Sequence, residues 1–196
     1  MEVNLILYGV FTYLLASIPF GLIVGKLFGK DVRKEGSGNI GATNVTRVVG
    51  KKAGILVFIL DSLKGFLPVY FSKYIFETKY VAILALVAVL GHCFSIFLKF
   101  KGGKGVATAI GVLYALSFKS ALIVSLFWLG VFLTTGYVSL ASVLSAGISW
   151  SVLHIISGSI EYTLSAFFIG LIIIFKHKDN IKRFLEGREN RFIYKD

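Results

Sequence analysis

LKFKGGKGVATAIG, from Leu98 to Gly111, packs three lysines and three glycines into the seven residues between Lys99 and Gly105. Apolar sequence lies directly on both sides. A basic, glycine-rich turn between two greasy runs is what a connection between two membrane helices requires. The rest of the chain agrees. Hydrophobic residues make up 56% of the 196, charged residues only 16%, and the mean hydropathy is +0.82. Soluble domains carry about 45–50% apolar and about 25% charged residues. The excess falls in long runs, so the expected fold is an all-α integral membrane protein, one domain over residues 1–196.

A membrane helix needs about 20 mostly apolar residues. Seven such spans are expected, near 4–25, 53–72, 80–98, 105–118, 120–136, 138–157 and 160–176. The fourth, opened by KGGKG, is too short for a full crossing and must be sunk, tilted or start partway in. The N-terminus lacks a basic n-region: Glu2 is acidic, and the first cation is Lys26. It reads as an uncleaved first span.

Basic residues fix the orientation. Loop 26–52, the 99–104 turn and the tail from Lys176 to Lys195 share one side and hold 17 Lys and Arg, against Lys73, Lys79 and Lys119 on the other. This puts the C-terminus in the cytoplasm and the N-terminus outside. All the longer polar segments, and any active site built from them, then lie on the cytoplasmic face. The net charge of +11 reads as topology and headgroup contact, not as nucleic-acid binding, because no polar module exists to carry it. The single cysteine, Cys93, permits no internal disulfide.

Three polar segments carry chemistry. In GSGNIGATNVTR (36–47), Gly36, Gly38 and Gly41 match G-x-G-x-x-G, with Asp61 twenty residues on. A dinucleotide site would need a strand before the glycines, and here a membrane helix precedes them. An anion-binding loop is the better reading, with donors from Ser37, Gly38, Asn39, Thr43, Asn44 and Arg47. In KFKGGKG, Gly102, Gly103 and Gly105 bare the backbone at the mouth of the fourth span, where a helix N-terminus and Lys104 favour an anion. In HKDNIKR (177–183), His177 and Asn180 share a helix face, with Arg183 nearby.

Two further features lie inside spans. Asp61 and Lys64, at i,i+3, share one helix face and read either as an ion pair that fixes packing or as catalytic groups. Ser139, Ser142, Ser145 and Ser149 form a small-residue stripe on the sixth span. Ser145 and Ser149 read as packing, while Ser142 lies close enough to the cytoplasmic end to reach a site. No histidines have metal-ligand spacing, so no metal is expected.

GSGNIGATNVTR, GHCFSIFLKFKGGKGVAT (91–108) and HKDNIKRFLEGRE (177–189), with LDSLKG (60–65) and YVSLAS (137–142), resemble the acyl-phosphate:glycerol-3-phosphate acyltransferase family in order, over residues 17–190. The resemblance implies transfer of an acyl group from acyl phosphate to the 1-hydroxyl of sn-glycerol 3-phosphate. The products are lysophosphatidate and phosphate, in the first acylation of bacterial phospholipid synthesis at the inner membrane. It implies no cofactor; the partners are the two substrates and membrane lipid, and the chain is taken as a monomer.

The residues suit this chemistry. Two phosphates need cations and bare N–H groups, and a fatty tail needs access from lipid. The H-x-x-x-x-D pattern of another acyltransferase class is absent: Phe97, Ser159 and Lys182 stand five after the three histidines. No nucleophile has an evident base, so direct attack by the acceptor hydroxyl is favoured, with His177 or a substrate phosphate as base. The expected catalytic residues are Lys104, His177, Arg47 and Ser142. The expected substrate-binding residues are Ser37, Gly38, Asn39, Thr43, Asn44, Gly102, Gly103, Gly105, Asn180 and Arg183. The competing reading is a small-anion membrane transporter, suggested by the intramembrane charge and the short fourth span.

Overall fold

The structure is a computed structural model and describes residues 2–192, with side chains from residue 4. Lys195, counted in the tail's charge, lies outside the described residues. The described chain is helical, with no strand: α1 (Glu2–Ser17), α2 (Phe20–Leu27), α3 (Ala42–Val48), α4 (Lys51–Ser72), α5 (Thr78–Cys93), α6 (Val106–Leu116), α7 (Phe118–Thr135), α8 (Val138–Ser157), α9 (Ile160–Lys176) and α10 (Lys178–Leu185), with a 3-10 turn at Ile96–Leu98. Among these, five segments are long and apolar enough to cross a bilayer, α1 and α2 counting as one; a sixth appears if α9 and α10 form one span bent by 57°. Large apolar side chains such as Ile6, Leu133 and Ile155 face outward, as lipid-facing positions should.

The expected first span is broken. Pro19 has no N–H and disfavours helix at the residue before it, so α1 ends at Ser17 and α2 begins at Phe20. In hydrocarbon the freed carbonyls must find donors inside the protein. Lys64 Nζ donates to Ile18 O at 2.7 Å, and Ser95 Oγ donates to Ser17 O at 2.6 Å. Lys64 also pairs with Asp61 at 2.7 Å, both side chains being 2% exposed. The intramembrane pair expected from the i,i+3 spacing therefore forms, and it has a third member in a backbone carbonyl 46 residues away.

The short α6 sits among α4, α5, α7 and α9. Its close approach to α4 depends on two glycines. A Cβ at Gly65 would lie 2.4 Å from Thr108 O, and one at Gly111 would lie 2.0 Å from Ser62 O. Each helix thus presents bare backbone to the other, as membrane helix pairs do when dispersion rather than the hydrophobic effect holds them. Shielded on several sides by protein, α6 need not match the bilayer's thickness. Its N-terminus opens onto the polar segments.

Candidate active site

The polar segments 36–47, 102–105 and 177–192 meet at one end of the bundle. Between them opens a cavity of about 610 Å³, polar at its mouth and apolar below, joined to a smaller pocket of about 320 Å³. Ser37, Asn39, Lys104, Asn180 and Arg183 line both. Thr43, Asn44, Arg47, Gly105, Ser142 and His177 line the larger space, and Gly38 and Gly102 the smaller. Gly103 lines neither.

Lys104 stands where the two spaces join. Its Nζ donates to Asn180 Oδ1. The Asn180 amide then donates to Glu189 Oε1 at 2.6 Å, and Glu189 also accepts from Ser139 Oγ at 2.7 Å and from Arg183 Nε at 2.9 Å. A cation on one side and a carboxylate on the other leave Asn180 only one favourable orientation. The result is a fixed line, Lys104–Asn180–Glu189–Arg183, with cations at both ends.

Burial pulls the Lys104 ammonium down to about 8; the nearby Glu189 opposes this, and Arg183 and Arg47 reinforce it. Burial, and then the Lys104 charge, hold His177 down at about 4. His177 Nδ1 lies 2.8 Å from Ile173 O. A carbonyl only accepts, so Nδ1 carries the proton and Nε2 keeps its lone pair. Around neutral pH the site therefore combines a charged lysine with a neutral imidazole able to accept a proton. Burial works to raise the Glu189 carboxyl, but hydrogen bonds from Asn180, Ser139 and Arg183 keep it below its usual range.

A family model for glycerol-3-phosphate acyltransferase matches residues 6–187. A glycerol-3-phosphate acyltransferase of Aquifex aeolicus (strain VF5) is 48% identical over 185 residues, covering 93% of this chain and 96% of its own. That of Desulfotalea psychrophila (strain LSv54 / DSM 12343) is 44% identical over 192 residues, covering 93% and 95%. A crystal structure of PlsY (YgiH), an integral membrane glycerol 3-phosphate acyltransferase in its glycerol 3-phosphate form, superposes with a TM-score of 0.94 at 46% identity, covering 97% of this chain and 96% of that one. Its lysophosphatidic acid form gives 0.91. The chain belongs to the glycerol-3-phosphate acyltransferase family.

Within this family member, several expected residues act differently from the sequence reading. Gly102 and Gly103 do not offer their N–H groups to an anion: these donate to Cys93 O and His92 O, each at 3.2 Å. Glycine is needed at 103 for packing, since a Cβ there would lie 2.2 Å from His92 Nε2. The Gly38 N–H is likewise taken, by Glu35 O at 3.1 Å.

Asn44 is 2% exposed and holds its own loop together. Its Oδ1 accepts from the Ser37 N–H at 2.7 Å, and its Nδ2 donates to Val32 O and Asn39 O, both at 2.8 Å. It shapes the loop that carries Ser37, Asn39 and Thr43. Ser142 donates to Val138 O at 2.7 Å and accepts from Trp128 Nε1 at 3.1 Å. With its proton held by a carbonyl, it is a poor nucleophile and a wall of the site.

Sequence reasoning passed over Glu189, Ser139 and Trp128 as site residues. Glu189 closes the HKDNIKRFLEGRE segment that carries the resemblance, but as an acid in a basic tail it was given no role. The tail beyond α10 runs back over the mouth. Phe192 N donates to Gly136 O at 2.8 Å, its ring meets Phe132 edge-on at 6.0 Å, and the Arg47 guanidinium lies 5.8 Å from its centre.

Proposed function

We propose that this chain transfers the acyl group of an acyl phosphate to the 1-hydroxyl of sn-glycerol 3-phosphate, giving 1-acylglycerol 3-phosphate and inorganic phosphate. One observation carries the reading: a cation-lined polar pocket and a deep apolar cavity meet at Lys104. The reaction brings two phosphates and one fatty tail together, and this arrangement has room for each. The glycerol 3-phosphate and lysophosphatidic acid forms of the solved relative match acceptor and product.

The acceptor hydroxyl attacks the acyl carbon, forming the new ester C–O bond. The acyl–phosphate C–O bond then breaks and phosphate leaves. Lys104, Arg47 and Arg183 stabilise charge that grows on the oxyanion and the leaving group. The hydroxyl proton passes to His177 Nε2 or to a phosphate oxygen of the substrate, and no covalent enzyme intermediate or cofactor is required. Ser37, Asn39, Thr43 and Asn180 hold the phosphates.

The chain acts as one membrane-embedded domain of seven membrane spans, with α1 and α2 forming the first and α6 the short fourth, in a bacterial inner membrane. The charge asymmetry supports an outer N-terminus and a cytoplasmic site. We take a single chain as the working unit. A transporter fits less well, because the polar segments 36–47, 102–105 and 177–192 gather at one end of the bundle. Purified protein should release phosphate from palmitoyl phosphate only when glycerol 3-phosphate is present. Equal or better use of palmitoyl-CoA would overturn the choice of donor.

A further inference from the structure

The turn that carries Lys104 is also the cap of α5. The last four carbonyls of a helix have no partner inside it. Here Leu90 O accepts from the Phe94 N–H at 2.8 Å, and Gly91 O accepts from Ser17 Oγ at 3.1 Å. His92 O and Cys93 O accept from the N–H groups of Gly103 and Gly102, and Lys176 Nζ adds a second bond to Cys93 O at 3.0 Å. The two bonds from the turn anchor residues 102 and 103. They stop one residue short of Lys104.

The His92 side chain continues the support. Its ring is 4% exposed and shares the lining of the large cavity with Lys104 and Asp61. Ring atoms Nε2, Cε1 and Cδ2 all lie within 3.2 Å of where a Cβ on Gly103 would stand. The ring edge therefore fills the space beside Gly103 and keeps the turn from settling onto α5. The other edge faces a charge. Nδ1 lies 3.8 Å from Asp61 Oδ1 and has no hydrogen-bond partner among the described residues. This is too long for a hydrogen bond, but close enough for the carboxylate to favour the tautomer with its proton on Nδ1. Asp61 is itself fixed by Lys64 at 2.7 Å, and Lys64 by Ile18 O. A line of buried contacts thus runs from the break in the first span, through Lys64, Asp61 and His92, to the residue before Lys104. None of the three side chains has a part in the transfer step.

Resting on the acyltransferase reading above, we propose that His92 is a positioning residue whose ring, oriented by Asp61, sets where Lys104 stands between the two spaces. Its effect on the reaction passes through Lys104. Placement matters at such a group, because a shift of about 1 Å can cost about a hundredfold in rate. Gly103 is part of the same device. It has no positive φ, and the three atoms nearest its absent Cβ all belong to the His92 ring. The ring, not the backbone, excludes a side chain there.

The test measures kcat for phosphate release from palmitoyl phosphate with saturating glycerol 3-phosphate, alongside melting in detergent. His92→Asn keeps a donor toward Asp61 and removes the ring edge that meets Gly103. It should melt like wild type and lose at least about tenfold in kcat. Gly103→Ala forces the turn off the ring and should lose a similar factor. Together the two changes exchange ring edge for methyl, so His92→Asn with Gly103→Ala should regain most of the loss. In a Lys104→Ala background, His92→Asn should cost less than about twofold, because the group it positions is gone. A ring with a purely structural role would give the same loss with and without Lys104. That result, wild-type kcat in folded His92→Asn, or no recovery in the combined variant would overturn the positioning role and leave the acyltransferase reading standing. If His92→Asn does not fold, Gly103→Ala with and without Lys104 decides by the same comparison. No phosphate release by wild type would remove both.

Discussion

Replacing Lys104 by alanine tests the site most directly. The ammonium is buried and held by Asn180 at the junction of the two spaces. With the group at about 8, roughly nine in ten molecules carry the charge at neutral pH. A unit charge about 4 Å from a developing oxyanion, at an effective dielectric constant near 20, contributes about 4 kcal/mol. Loss of one preorganised donor in other enzymes costs about 2.7–4 kcal/mol, or 10²–10³ in kcat. The two routes agree, so Lys104→Ala should lose at least about a hundredfold in kcat.

Lys99 provides the control. It sits in the same basic turn, but outside both pockets, and Lys99→Ala should stay within about threefold of wild type. The assay is phosphate release from palmitoyl phosphate with saturating glycerol 3-phosphate, alongside thermal melting in detergent to show that each variant is folded. If Lys104→Ala keeps more than about a tenth of wild-type turnover, or the two lysine variants lose equally, the electrostatic argument fails.

Other consequences concern pH, the buried pair and topology. Since Lys104 must be charged, kcat should fall as pH rises through about 8, and Lys104→Arg should retain activity while moving that limb upward; an unmoved limb would assign it elsewhere. His177, held near 4, stays neutral from pH 5 to 9 and should add no limb there. Asp61→Asn leaves Lys64 buried without its carboxylate and should cost roughly 3–5 kcal/mol of stability. Asp61→Asn with Lys64→Leu should recover part of this by melting, though not all, because Ile18 O then loses its donor. A double variant that melts like wild type but shows no turnover would assign the pair to catalysis instead. Cysteines at positions 35 and 77 in a Cys93→Ala background should label from opposite sides of the membrane; labelling from one side would refute the orientation.

The sequence by itself determined the class of fold and the parts of the site. Span length, basic-residue counts and the i,i+3 spacing of Asp61 and Lys64 are local quantities, readable along a chain because the bilayer imposes its thickness and charge asymmetry on each segment separately. The segments 36–47, 102–105 and 177–183 were legible for the same reason: glycines and cations stand out against apolar neighbours. Tertiary structure decided what those groups do. Every backbone N–H has several potential acceptors, and only the packing of 101–105 on the end of α5 gives those of Gly102 and Gly103 to Cys93 and His92. Lys64 looked like half of an ion pair until Pro19 broke α1 and left the Ile18 carbonyl within its reach. Glu189 became the acceptor for Ser139, Asn180 and Arg183 only once the tail turned back across α8. Hydrogen bonds between distant segments depend on where folding places them, and no local pattern in the chain encodes that.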